Sequence, residues 1–383
     1  MDFRFNDVQE SMAKVVRNFA NKVLLPQYGY WDQKEEFPYE QWAKMAELDL
    51  LGLRVSERYG GQEADCVTAG LIAEEIARGD FNCAYGVLMT CLVGDIIERF
   101  ATEKIKNNWL SKMAKGEKII CIALTEPQAG CDAAALNARA VKKEDSYVLN
   151  GEKSAISLLR ASDAAVVFAK TDPAAGARGI SAFLVPLDLP GITLQSYPDM
   201  GSKAIVRGSL FLDDIVIPEE NLIGQEGGGF IQVMQAFDYS RVIIALMCLG
   251  AAQITIEETV EYVKQRSVFG KPLAKFEGIS FPLVEWLTRL EAARWLCYRA
   301  LWLRDQELPH TKEAAMCKWL CPELAVAAIH ECLLIHGHYG YTREFPIEQR
   351  MRDVIGLQIG DGTAQVQKII ISREVFGREF LPY

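Results

Sequence analysis

The hydrophobic period changes twice along the chain, and this constrains the fold more than any other feature of the sequence. From residue 1 to about 117 apolar residues recur at helical spacing. Asn6–Asp7 is a helix-start signal, and Val8, Met12, Val15, Val16, Phe19 and Val23 follow on one face, with Pro26 expected to close the run. Further helices are expected at about 38–50, 66–79, 82–100 and 103–115. Between about 118 and 225 the pattern shortens to β-rich runs, at 119–124, 146–157, 164–170, 180–186, 192–197 and 209–218. Asn150–Gly151 sits inside the second of these and predicts a two-residue hairpin. Short strands at this spacing imply an antiparallel barrel or sandwich. The run EGGGF (226–230) then punctuates the chain; it lacks the spacing of a phosphate-binding glycine loop and reads as an interdomain hinge. Helices resume at about 230–265, 276–306, 310–337 and 345–352, with a last one from about 363. Helix, strand and helix in series make an α+β chain of three domains, 1–117, 118–226 and 227–383.

Charge and composition narrow the partners. The net charge is −10 and no block of lysine and arginine stands out, which argues against nucleic acid. A polyanionic small molecule remains compatible, because it needs only a few local cations and helix N-termini. No uninterrupted apolar run approaches the ~18 residues of a membrane span. The first residues resemble neither a signal peptide nor a transit peptide, so the expected location is the cytoplasm, or the mitochondrial matrix if a transit segment has been removed. The ten cysteines include no CxxC pair, so no metal site is expected, and their scatter fits a reducing compartment. There is no GxSxG for nucleophilic hydrolysis and no dinucleotide fingerprint after a strand.

Five segments carry a resemblance. ALTEPQAGCDAAAL (123–136), NGEKSAIS (150–157), QRSVFGKPLAKFE (265–277), GHYGYTREFPIEQRMRD (337–353) and IGDGTAQVQ (359–367) resemble, in order and spacing, the signature motifs of the acyl-CoA dehydrogenase flavoproteins. The resemblance implies an N-terminal α-helical domain, a central antiparallel β-barrel domain and a C-terminal four-helix bundle. It also implies FAD, an acyl-CoA thioester substrate, a homotetramer, and electron-transferring flavoprotein as the electron acceptor.

It further implies site residues. Asp361 occupies the place of the family's glutamate base, although Asp361–Gly362 is equally well explained as a turn dipeptide. Some relatives carry the base on the helix equivalent to 238–241, where Ser240 cannot serve. Aspartate is about 1.5 Å shorter than glutamate, so Asp95, on the helix expected at 82–100, is the reserve base; from there it would drive a vinylogous (1,4) elimination on a cyclic enoyl thioester. Leu124, Thr125, Ile156 and Ser157 correspond to contacts of the flavin ring, and Arg266 and Phe269 to contacts of the pyrophosphate region. Glu277, Gly337 and His338 correspond to the adenosine side, and Thr363 and Gln365 to the start of the last helix. Cys131, Asp238, Arg241 and Gly362 correspond to substrate contacts. Ala155 stands where the family has a tryptophan beside the flavin, and Glu277, Leu334 and His338 also depart from the family pattern.

The expected reaction is dehydrogenation of a short, branched or alicyclic acyl-CoA, with the cyclohexane- and cyclohexenecarboxyl-CoA enzymes as one subtype. Alternatives are an enoyl-CoA reductase running in reverse, a flavin oxidase of a non-CoA carbon acid, and a non-catalytic acyl-CoA-binding relative.

Overall fold

The computed structural model describes residues 4–381. Residues 1–3 and 382–383, the outer ends of the first and third expected domains, lie outside it. Asn6 caps the first helix, Asp7–Phe19, and exchanges hydrogen bonds with Gln9 in a capping box. Pro26 does not end this helix. A wider π turn, Ala20–Leu24, leads into Leu25–Lys34, whose first turn holds Pro26 where no N–H is needed. Cys66–Gly79 forms as expected, while the expected helices at 82–100 and 103–115 each contain a π turn, Thr90–Gly94 and Lys106–Leu110.

Eight strands follow: β1 Ile120–Ala123, β2 Arg139–Lys143, β3 Ser146–Ile156, β4 Ala164–Lys170, β5 Ile180–Pro186, β6 Ile192–Ser196, β7 Gly208–Pro218 and β8 Leu222–Ile223. Their order is β6-β7-β3-β2-β4-β5-β8, with β1 beside β4. The expected closed antiparallel barrel is therefore an open, mixed sheet. β2 touches β4 through one parallel pair, Arg139 with Lys170, because β1 takes the rest of that edge.

Asn150–Gly151 makes no hairpin. β3 runs straight through it, and the turn between β2 and β3 is Glu144–Asp145, with Glu144 left-handed at φ 48°. Asn150 instead exchanges two 2.9 Å hydrogen bonds with Asp214 across a register shift between β3 and β7. Gly151 is needed there because a Cβ would fall 2.7 Å from that of Ala138. The glycine run is held by contacts to β5. The Gly227 N–H donates to Ser181 Oγ at 2.9 Å, and a Cβ on Gly229 would lie 2.7 Å from the Ser181 carbonyl carbon.

The C-terminal part holds the long helices Gly229–Gln265, Glu277–Asp305 and Thr311–His336, the short Ile347–Ile355, and Ala364–Phe376. Allowing a few polar residues, Gly229–Gln265 and Thr311–Tyr341 are each long and apolar enough for a span, which a search for uninterrupted runs misses. In the first, 94 % of the most apolar window lies inside the protein, where it packs on Cys66–Gly79 and Thr311–His336 and forms the centre of the core.

The three parts meet at buried carboxylates. Asp353 accepts hydrogen bonds from Tyr28 Oη (2.6 Å), Asn82 Nδ2 (3.1 Å) and the Ser202 N–H. Burial pushes its carboxyl up to about 6 against these donors, and pushes that of neighbouring Asp80 up to about 7. Asp80 Oδ1 accepts the Asn82 and Cys83 N–H groups, while its Oδ2 is buried without a partner among the described residues. A carboxyl raised above its unfolded value of 3.8 binds its proton more tightly in the fold, so its ionisation costs stability increasingly as pH rises from there to about 7. Asp80→Asn keeps the acceptor and removes the charge. Thermal melts are expected to show a gain for the variant that is smallest near pH 4 and grows to a plateau near pH 7; a gain independent of pH would refute this account.

Candidate active site

Two motif segments build one edge of the site. β3 carries an extra residue opposite β7 between Lys153 and Ile156, and Ala155 takes a left-handed conformation there at φ 54°. This bulge bends the strand end toward the 123–136 loop. The Ser154 N–H donates to Thr125 O at 2.8 Å, which brings Leu124 and Thr125 beside Ile156 and Ser157. The hydroxyls of Thr125 and Ser157 make no hydrogen bond among the described residues. Tyr197 Oη, rather than an indole, sits against Ala155, accepting its N–H at 3.3 Å.

A buried ion pair that sequence reading missed supports this edge. Lys153 Nζ donates to Glu126 Oε1 at 2.6 Å and to Leu124 O at 3.0 Å, and both side chains are almost wholly buried. Glu126 also accepts the N–H groups of Asn137 and Ala138, so it closes the 123–136 loop on itself. Burial draws the Lys153 ammonium down to about 8, against the pull of Glu126. Burial raises the Glu126 carboxyl, but the bonds and charge of Lys153 outweigh that and hold it below its ordinary value. The pair is ionised at neutral pH. Both residues lie inside quoted motifs, so the signal was present, but it does not separate cofactor contacts from struts.

Asp361 stands in a left-handed turn, φ 54°, followed by Gly362 at φ 93°. Its Oδ2 accepts the Ser240 hydroxyl at 2.8 Å. Lys318 reaches into the same loop, donating to Leu357 O at 2.7 Å and Gly362 O at 3.2 Å. Gln367 Nε2 donates to Asp361 O and Gly362 O. Burial lowers the Lys318 ammonium, opposed by the charge of Asp361. Thr363 caps the helix Ala364–Phe376, and Gln365 is exposed.

Asp238 and Arg241 pair with each other, Nη1 to Oδ1 at 2.8 Å, and Thr311 Oγ1 donates to the second Asp238 oxygen at 2.6 Å. Arg241 is buried, its Nε unpartnered among the described residues; burial lowers its pKa, opposed by Asp238 and Asp361. Asp95 makes no hydrogen bond to the Asp361 loop among the described residues. Its oxygens accept Arg304 Nη2 at 2.9 Å and Arg99 Nη1 at 3.3 Å, so both are engaged.

The remaining candidates are open to solvent. Cys131 is the one exposed cysteine among ten free ones. The Arg266 guanidinium pairs with no carboxylate among the described residues. It leads into a hairpin, Ser267–Val268 with Lys271–Pro272, whose tip Phe269 is left-handed and 94 % exposed. Glu277, Gly337 and His338 are exposed, Gly337 at φ 61°. Tyr262 stacks on His336 with ring centres 4.1 Å apart, tying the hairpin's helix to the turn at Gly337. The rest of that motif is structural: Arg350 pairs with Glu258, and Arg352 with Asp32 and Glu348.

A three-part helix–sheet–helix chain that carries unengaged hydroxyls on its sheet edge and a held carboxylate in its C-terminal part fits a flavin-dependent oxidoreductase. Comparison with known proteins identifies the family. The family models match as "Acyl-CoA dehydrogenase, N-terminal domain" at residues 6–117, "middle domain" at 121–215 and "C-terminal domain" at 227–376. An acyl-CoA dehydrogenase of Bacillus subtilis is 38 % identical over 96 % of this chain and 98 % of its own. The short-chain specific acyl-CoA dehydrogenase of Rattus norvegicus mitochondria is 39 % identical, over 96 % of this chain and 89 % of its own. The solved butyryl-CoA dehydrogenase of Megasphaera elsdenii superimposes with a TM-score of 0.95 at 35 % identity, covering 98 % of this chain and all of that one. The chain belongs to the acyl-CoA dehydrogenase family and is an FAD-dependent oxidoreductase of acyl-CoA thioesters.

Removing one member of the Glu126–Lys153 pair leaves a buried charge. Lys153→Met is therefore expected to cost about 3–5 kcal/mol and to lower FAD occupancy of the purified protein. An unchanged melting temperature with full flavin content would show that the pair is dispensable.

Proposed function

We propose that the chain dehydrogenates a short, branched or alicyclic acyl-CoA between its α and β carbons, with Asp361 as the base. The observation that carries this reading is the state of the Asp361 carboxylate. One oxygen is held by Ser240, the other makes no hydrogen bond among the described residues, and the buried cations Lys318 and Arg241 act on its charge. A carboxylate removes an α-proton only when the thioester carbonyl is polarised, a task this reading gives to the Asp361 N–H. The free oxygen takes the proton. Asp238 and Arg241 serve the CoA side, with Gly362 beside the thioester and Cys131 at the mouth of the loop.

The donor set fits FAD. Thr125 and Ser157 offer unengaged hydroxyls beside Leu124 and Ile156, where the ring would lie. Arg266, a cation without a carboxylate partner, suits pyrophosphate oxygens, with Phe269 next to it. Thr363 and Gln365 start a helix whose N-terminus favours an anion. Glu277, Gly337 and His338 would meet the adenosine end. Bound there, FAD supplies the hydride acceptor that no side chain can provide.

Exposure of Phe269 and Arg266 supports assembly with further copies, and we propose a homotetramer. An apolar groove of about 410 Å³ lined by Leu296, Met316, Trp319, Leu320 and Ile371 adds to that support. Electron-transferring flavoprotein is the proposed acceptor, the cytoplasm the proposed location, and 1–117, 118–226 and 227–383 the proposed domains. The engagement of both Asp95 oxygens favours Asp361 over the vinylogous route.

Anaerobic titration of the yellow protein with a panel of acyl-CoA and enoyl-CoA esters tests substrate class and direction together. Asp361→Asn is expected to keep FAD and bind the ester while losing flavin bleaching by at least about a thousandfold, as expected for removal of a general base. A bleaching rate equal to the parent protein would refute the assignment.

A further inference from the structure

We propose that Ser240 is a positioning residue, its hydroxyl aiming the Asp361 carboxylate so that the short side chain presents one fixed oxygen to the substrate. The inference rests on Asp361 being the base. Ser240 lies wholly buried on Gly229–Gln265. A buried helical hydroxyl ordinarily bonds a carbonyl one turn back. Thr255 and Thr259 on the same helix do so, each at 2.7 Å. Ser240 differs: its contact with Phe237 O is long, 3.4 Å, and its proton goes to Asp361 Oδ2 at 2.8 Å.

The surroundings explain why one hydroxyl suffices. The base loop is already fixed at the backbone by Lys318 and Gln367, which bond the carbonyls of Leu357, Asp361 and Gly362. What stays free is the rotation of the Asp361 side chain, and the Ser240 bond removes it. Other groups acting on this site are Lys318 and Arg241 as cations, Asp238 paired to Arg241, and the phenol of Tyr85. Burial pushes that phenol up to about 12, so it stays neutral. The Cys248 thiol, beside Lys318, is pushed above its ordinary value by burial and is neutral too. Among the described residues Ser240 is the one group hydrogen-bonded to the Asp361 carboxylate, so its loss frees the aim of that side chain.

The test uses the FAD-loaded protein and the ester that bleaches it fastest in the panel. Single-turnover bleaching is followed for Ser240→Ala and Ser240→Thr from about pH 5 to about pH 9, with ester affinity measured by calorimetry. Ser240→Ala is expected to slow bleaching about tenfold to a hundredfold, the size of a hydrogen bond to a charged group. Ester affinity and melting temperature are expected to stay unchanged. Ser240→Thr, which keeps the hydroxyl, is expected to restore the rate. A parental rate in Ser240→Ala would overturn the proposal, as would a threonine variant impaired like the alanine one. Asp361→Asn separates the two readings, because its full activity would remove the base itself whatever Ser240→Ala does.

Discussion

One buried carboxylate holds the three parts of this protein in register. Asp353 collects a phenol from the first helical region, an amide from the turn after Cys66–Gly79, and a backbone N–H from the sheet region. A buried carboxylate without donors would not stay ionised, so each of these groups is required by the others. The neighbours share the task. Arg352 forks onto Asp32 and also donates to Met200 O, and Gln349 donates to Tyr28 O. These bonds tie the first helical region and the sheet region to the short helix Ile347–Ile355.

That dependence explains which parts of the sequence were readable. Helices such as Cys66–Gly79 and strands such as Ala164–Lys170 and Ile180–Pro186 follow their local period, and period alone places them. Asn150–Gly151 failed as a turn because β3 lies between β2 and β7, and tertiary pairing satisfies Asn150 through Asp214. Pro26 failed as a stop because it falls in the first turn of Leu25–Lys34, just after the π turn, where its missing N–H is not needed. The partner of Asn150 lies far along the chain, outside any local window. The demand for glycine at 229 is equally non-local, since it comes from the Ser181 backbone on β5.

The motifs were read as contact residues, and the structure divides them differently. Glu126 and Lys153 shape the 123–136 loop from below, while Arg350, Arg352 and Asp353 join parts of the chain. A motif marks a place where several demands coincide, and buried charge is one of them. Asp361 shows the reverse case. Its dipeptide with Gly362 is a true left-handed turn, yet the same geometry delivers its carboxylate to Ser240, so turn and site are one arrangement.

The charge of −10 acquires a sharper meaning from this arrangement. Exposed charges separated by more than about 10 Å are largely screened at ordinary salt, so the acidic surface does little to an anion inside the site. Buried charges act through a far lower effective dielectric. Arg241 and Lys318 are both desolvated and both feel Asp361. The carboxylates beside them are Asp361 and Asp238, the latter paired to Arg241 at 2.8 Å, so two buried cations are matched by two carboxylates within a protein that is negative overall. Local burial, rather than net charge, decides what this acidic chain can bind and stabilise.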